Sequence, residues 1–316
     1  MATNDKRLRV TELDFDAIKS NLKTFLKAQQ EFKDYDFEGS GINILLDTLA
    51  YNTHYLGFNA NMLANEMFLD SASLRSSVVS HAKTLGYETT SARAPYATLN
   101  VSLSTSDNSK TMPAGTAFTT SVDGTNYRFV TTADVTSSNT GSEVPFDSIK
   151  VYEGSYITTR YTVNTSDVDQ KFTLNNASSD TSTLIVKVQT SSSDTSTTTY
   201  TKATDITQLS SNSTVYFLQE TDSGLYQVYF GDGVISKSIS DGNIISLQYV
   251  VTNKTLANGA NTFSSPASID GATSITVTTV SSATGGSEVE TIDSIKLQAP
   301  LDYAAQGRCV TVDDYK

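Results

Sequence analysis

Two aspartates flanked by glycine, Asp232 in "FGDG" and Asp241 in "SDGN", are the acidic groups whose setting could carry chemistry. A carboxylate on a glycine loop can ligate a cation or move a proton, and a glycine-rich turn that opens a helix can cradle phosphate. The flanking text here is strand-like. Tyr226, Val228 and Phe230 alternate up to Gly231, and Ile245, Leu247 and Tyr249 alternate after the second pair. Asp-Gly tolerates the positive φ of a tight turn. Gly231, Asp232 and Gly233 therefore read as a structural turn, and residues 225–251 as a β-meander with two turns. A metal-binding or catalytic aspartate is the weaker alternative.

The remaining reactive groups lack partners at useful spacing. The two histidines, His54 and His81, fall in helical text, where a satisfied structural imidazole is the commoner role. No G-x-S-x-G elbow occurs among the many serines. "GSG" at 39–41 reads as a linker before a helix, and the lone Cys309 in "QGRCVTV" as a small apolar side chain. Asp34 with Asp36, and Asp313 with Asp314, are ordinary in an acidic chain. These residues support no catalytic, cofactor or metal site, and the expectation is a non-enzyme.

Composition narrows the partners. A net charge of −12 without any Lys/Arg stripe argues against nucleic acid. No apolar run of membrane-spanning length occurs, so no membrane partner is expected. Sixteen Tyr and 13 Phe supply packing side chains that disordered chains lack, so a folded protein is expected. One cysteine excludes an internal disulfide framework.

The elements divide by period. Phe15, Ile18, Leu22 and Phe25 recur at helical spacing, with Thr11 and Asp14 placed as a capping box. In the next helix, which would reach about 25 residues unless broken near Gly57, Ile42, Leu45, Leu49, Leu56, Ala60, Leu63 and Met67 share a face. A second stripe of Tyr51, Tyr55, Phe58 and Met62 runs beside it, so more than one side is expected to be covered. Leu74, Val78 and Leu85 mark a third helix that Gly86 ends. Beyond "SARAP" the period becomes 2, as in "ATLNVSL", "AFTTSV", "YRFVTT", "STLIVKVQT" and "SITVTTV". Abundant Thr suits exposed sheet surface, whereas "TSSSDTSTTTYT" reads as a mobile loop. Ile292 and Ile295 return to helical spacing. The expectation is an α+β chain: an N-terminal helical bundle (1–92), β-rich domains (93–284) with an inserted subdomain around 154–214, and a C-terminal helical segment (285–316).

Several segments together resemble a known family. "LDFDAIKSNLKTFLK", "YDFEGSGINILLDTLAYNTHY", "NEMFLDSASLRSSVVSHAKTLGY", "PAGTAF", "YFGDGVISK" and "APLDYAAQGRCVTVDDY" occur in the order seen in baseplate wedge proteins of T-even-type contractile-tailed phages. The last three also look like the wider baseplate J-like family. The resemblance implies a structural virion protein of the tail baseplate, assembled in the host cytoplasm, that holds wedge subunits around the hub and transmits rearrangement when the sheath contracts. Its implied partners are other wedge proteins through helix-bundle contacts, a second copy of itself, and tail hub or sheath-initiator neighbours. Tyr51, Tyr55, Phe58 and Met62 become the partner-contact candidates. A β-rich adhesin or carbohydrate-binding module is the alternative, and would need clustered exposed aromatics in a groove.

The resemblance also implies further chain after "AQGRCVTVDDY", so that the sequence is either a fragment or belongs to a phage that assigns ring closure to another protein. In this segment Thr311 is placed to cap a helix start with Asp314 at the third helical position, and Arg308 to bridge to Asp314.

Overall fold

A computed structural model describes residues 14–32, 37, 39–167, 170–204 and 208–305. The described residues divide into two units, one made of those up to Tyr87 together with those from Ile292 onward, and one of those within Glu88–Thr291. The expected class holds: helices first, then β-structure, then a last helix.

The helical unit contains α1 (Phe15–Lys27), α2 (Ile42–Glu66), α3 (Arg75–Thr84) and α4 (Ile292–Ala305). The N-cap of α1 is Asp14 itself, whose carboxylate accepts from Ala17 N at 2.7 Å; the Thr11 of the expected capping box lies outside the described residues. Gly57 does not break α2, which runs 25 residues. Past Leu85, the C-cap of α3, Gly86 takes φ +84°. Gly86 N donates to Lys83 O and Tyr87 N to Ala82 O, the paired bonds of a Schellman ending. Ala72, Val78, Val79 and Ala82 bury against Ile295 and Ala299, so α3 and α4 share a small core.

The β unit holds two large sheets. One has five strands in the order β14-β1-β6-β4-β3: β1 (Tyr96–Ser104), β3 (Ala117–Val122), β4 (Thr125–Val130), β6 (Glu143–Glu153) and β14 (Ile275–Thr284). A short ribbon pairs β2 (Ser109–Met112) with β5 (Val135–Ser138). The second large sheet has seven strands in the order β7-β13-β9-β10-β11-β12-β8: β7 (Ser155–Thr162), β8 (Phe172–Thr173), β9 (Ser179–Gln189), β10 (Thr197–Lys202), β11 (Val215–Glu220), β12 (Tyr226–Phe230) and β13 (Ile244–Val251). All its strands lie between β6 and β14 in the chain. Each sheet has its own core, centred on Leu99, Phe118, Phe129 and Phe146 in the first and on Val186, Tyr226, Leu247 and Tyr249 in the second.

Three strand readings change. β6 escapes a period-2 search because a bulge at Ser148, φ +54°, flips the alternation: Val144 and Phe146 are buried before it, Ile149 and Val151 after it. The Asn100 carboxamide accepts from Ser148 N at 2.8 Å and holds the bulge. Half of the expected loop is strand β10, whose exposed threonines flank one buried residue, Tyr200; β-branched Thr suits that surface. Finally, β12 and β13 are not hydrogen-bonded neighbours, so residues 225–251 are no meander: β12 pairs with β11 and β8, β13 with β7 and β9.

The chain passes from the first sheet to the second at Glu153–Gly154 and returns at Thr252–Asn253. Gly154 has φ +123°, and a Cβ there would sit 2.1 Å from Val251 O. The buried Glu153 carboxylate accepts from Thr252 Oγ1 (2.7 Å), Asn253 N (2.8 Å) and Asn253 Nδ2 (2.7 Å). Both crossings are thereby tied to one side chain.

Candidate interaction surface

Helix α2 carries only two charged residues, Asp47 and Glu66, in 25. At about 100° per residue its side chains fall into three lines. Leu45, Leu49, Leu56, Leu63 and Met67 form one, and Ile44, Tyr51, Tyr55, Phe58 and Met62 a second, with Thr48, Asn52 and Asn59 between them. Both are open to solvent: Leu63 is 68% exposed, Leu45 63%, Tyr51 59% and Phe58 53%. The line turned inward is a third one, Leu46, Ala50, Gly57 and Asn61. The expectation that more than one side of the helix is covered is thus corrected for the chain by itself: neither apolar stripe is, and one other line is. Small and polar residues let other parts of the unit approach, and two of them give no hydrophobic signal.

The helix is nevertheless held firmly. α1 packs against it, with Lys19 Nζ 2.5 Å from the Asp47 carboxylate. The Asn61 carboxamide donates to Gly57 O at 2.9 Å, which satisfies its buried nitrogen within the helix. At the C-terminal end, Ser71 Oγ donates to Asn65 O and His81 Nε2 lies 2.8 Å from Glu66 O, so carbonyls left over by the last turn find partners. The Glu66 side chain reaches forward to the start of α3, accepting from Ser73 N (2.8 Å), Ser73 Oγ (2.7 Å) and Leu74 N. Partial burial alone would raise the pKa of this carboxyl, but the bonds from Ser73, Ser77 and Leu74 outweigh it and lower it to about 2. Neither the Glu66 clamp nor the role of His81 was anticipated, because each spans a loop. Tyr51 and Tyr55, one turn apart, bring their ring centroids to 5.7 Å. The result is a braced helix with two bare apolar stripes. On α4, Leu297, Leu301 and Tyr303 are likewise exposed.

The "FGDG" stretch lies elsewhere, after β12. Asp232 accepts from Val234 N at 2.9 Å and more weakly from Ile235 N, and these backbone bonds hold its pKa below the usual carboxylate range. Gly233 takes φ +89° and donates to Ser236 O. Gly231 is required for a different reason: a Cβ there would lie 1.9 Å from Ser236 Oγ. The Asp232 carboxylate thus shapes a compact turn that leaves Val234 75% exposed. Asp241 similarly accepts from Thr165 N at 3.0 Å. Arg308, Thr311, Asp314 and Cys309 lie outside the described residues.

The comparisons bear on this surface directly. Residues 14–87 match a family model described as "Baseplate wedge protein gp6-like, helical domain", the segment that contains α1, α2 and α3. The chain resembles the gp6-like baseplate wedge proteins. It is 33% identical over 337 aligned residues to the baseplate wedge protein gp6 of Enterobacteria phage T4, covering 95% of this chain and 48% of that relative. It therefore spans about half the length of the curated relative it matches. A solved structure of the anti-feeding prophage baseplate aligns with 97% of this chain and 63% of that one, at 12% identity and a TM-score of 0.36. That likeness is too low to establish a shared fold.

Proposed function

We propose that the chain is a non-enzymatic structural subunit of a contractile-tail baseplate wedge, residing in the virion tail. Helix α2 is the element that enters a helix bundle with other wedge proteins and a second copy, and hub or sheath-initiator proteins are the further neighbours. The observation that carries this reading is the state of α2 itself. A helix that exposes two apolar stripes while its third line is buried is built for partners on two sides, because contiguous exposed apolar surface marks an interaction site. The gp6-like match over the same residues supports the choice of baseplate over any other assembly.

Co-expression with the other baseplate proteins of its own genome tests the reading. Tyr51→Ser/Phe58→Ser should lower the yield of the hetero-complex by about tenfold or more, since losing two buried aromatics costs several kcal/mol. The isolated variant should melt as the wild type does. An unaltered complex, or a variant that unfolds alone although the wild type is a stable monomer, would overturn it.

A further inference from the structure

Asn258 is the only asparagine in the chain that is followed by glycine. In such a pair no side chain shields the glycine nitrogen, which can attack the carboxamide carbon of the residue before it and close a succinimide ring. The fold nevertheless demands both residues. Gly259 takes φ +88°, a conformation that other residues rarely adopt. Asn258 follows the short 3₁₀ turn Lys254–Ala257, and its carboxamide bonds in both directions to the chain beyond β14: Nδ2 donates to Gly286 O at 3.1 Å and Oδ1 accepts from Gly286 N at 3.0 Å. An amide side chain offers this donor and acceptor side by side, and a carboxylate does not. The labile pair is thus required by the loop itself.

The same geometry holds the reaction off. The ψ of Asn258 is 139°, whereas ring closure needs the Gly259 nitrogen nearly eclipsed with Asn258 Cβ. That nitrogen also donates to Ala283 O at 2.7 Å, beside a second bond of 2.7 Å from Ala283 N to Ala260 O. It cannot turn towards the side chain without breaking its bond to the end of β14. The carboxamide is meanwhile held by Gly286, which sits so close to the turn that a Cβ on it would lie 2.5 Å from Lys254 O. Asn258 and Gly259 are both exposed, so water reaches them freely. The closed loop withholds the geometry and leaves the reagent at hand.

We propose that Asn258 is a site of spontaneous deamidation, kept closed by this clamp and made reactive when the clamp opens locally. The Gly259 nitrogen loses its proton and bonds to Asn258 Cγ, and the side-chain nitrogen leaves as ammonia. One water then opens the ring at either carbonyl, which gives an aspartate or an isoaspartate at position 258. No oxidant, metal or enzyme is needed. The aspartate presents an acceptor to Gly286 O where the amide presented a donor, and the isoaspartate lengthens the main chain by one carbon. Neither can rebuild the two-way clamp. The change runs in one direction, so opening at the end of β14 is converted into a permanent loosening of the first sheet.

The test incubates the full chain at mildly alkaline pH, native and in urea. Mass spectrometry follows the peptide that contains Asn258, and an isoaspartyl methyltransferase counts isoaspartate. In urea Asn258 should deamidate ahead of every other asparagine. In the native chain it should react at least about tenfold more slowly, because the reaction passes through the open form. Gly286→Ala displaces the partner of the carboxamide and leaves the Asn-Gly pair intact, so it should speed the native reaction by at least about fivefold while the other asparagines react as before. Asn258→Asp, one of the two products, should accelerate amide exchange at Gly259 and Ala283 and leave Leu99 and Val101 of β1 unchanged. Should Gly286→Ala not fold, the other two arms decide. Equal rates in the native chain and in urea, a folded Gly286→Ala variant that reacts no faster, or unaltered exchange at Gly259 and Ala283 in Asn258→Asp would each overturn the proposal.

Discussion

Replacing Glu153 by Leu removes the acceptor for three donors at the crossing between the sheets: the buried Thr252 Oγ1, and N and Nδ2 of the exposed Asn253. The buried hydroxyl left unpaired costs about 1–3 kcal/mol, whereas water can take over the two Asn253 donors, so each of those bonds forfeits only about 0.5–1.5 kcal/mol, and the apolar replacement recovers part of the total through burial. A net loss of roughly 2–4 kcal/mol is expected. For a unit of this size that is a drop of about 4–16 °C in melting temperature. Glu153→Gln should lose less, because its amide oxygen can still accept two of the bonds and the Asn253 carboxamide can rotate to receive the new N–H. Thermal melts followed by far-ultraviolet circular dichroism, with near-ultraviolet signals from the buried tyrosines, provide the assay. If the Leu variant melts within about 2 °C of wild type, the carboxylate does not tie the crossings together and the reasoning fails.

Gly154→Ala should destabilise the β unit by roughly 2–5 kcal/mol, as both the φ of +123° and the 2.1 Å approach to Val251 O oppose a side chain; a denaturant midpoint equal to wild type would refute this. Glu66 has a folded pKa depressed from 4.5 to about 2. Its contribution is therefore complete above pH 4.5 and fades as pH falls towards 2. Glu66→Gln should accordingly be less stable than wild type at neutral pH, and the gap between their melting curves should close across that window. Asp232→Asn should change stability little, with no dependence on added calcium, whereas Gly233→Val should cost about 1–3 kcal/mol through its positive φ; a calcium-dependent stabilisation lost in the Asn variant would make the carboxylate a ligand instead.

What could be read in advance follows from how each element stores its information. β1 alternates cleanly, with Ala97, Leu99, Val101 and Leu103 all buried, so its text is its structure. β6 breaks its own alternation at Ser148 and carries Pro145, which is accommodated because β4 pairs with β6 only at its far end. The two apolar stripes of α2 were visible at helical spacing. Their exposure was not, since a stripe destined for a partner and one destined for the core have the same composition. Strand order is a property of the tertiary fold, so residues 225–251 suggested neighbours where the sheet places β9, β10 and β11 between β13 and β12. The turn chemistry of Asp232 was local and therefore readable; the Glu66 and Glu153 clamps join segments by hydrogen bonds that no periodicity encodes.

The most direct test of the central claim is amide hydrogen exchange across α2, Ile42–Glu66, in the free chain and in a complex with its neighbouring baseplate proteins. Helix α2 should be folded in the free chain and should exchange markedly more slowly on assembly over the turns bearing Leu45 to Leu63 and Tyr51 to Met62. Exchange in α2 that stays unchanged while a stable complex forms through other segments would contradict it.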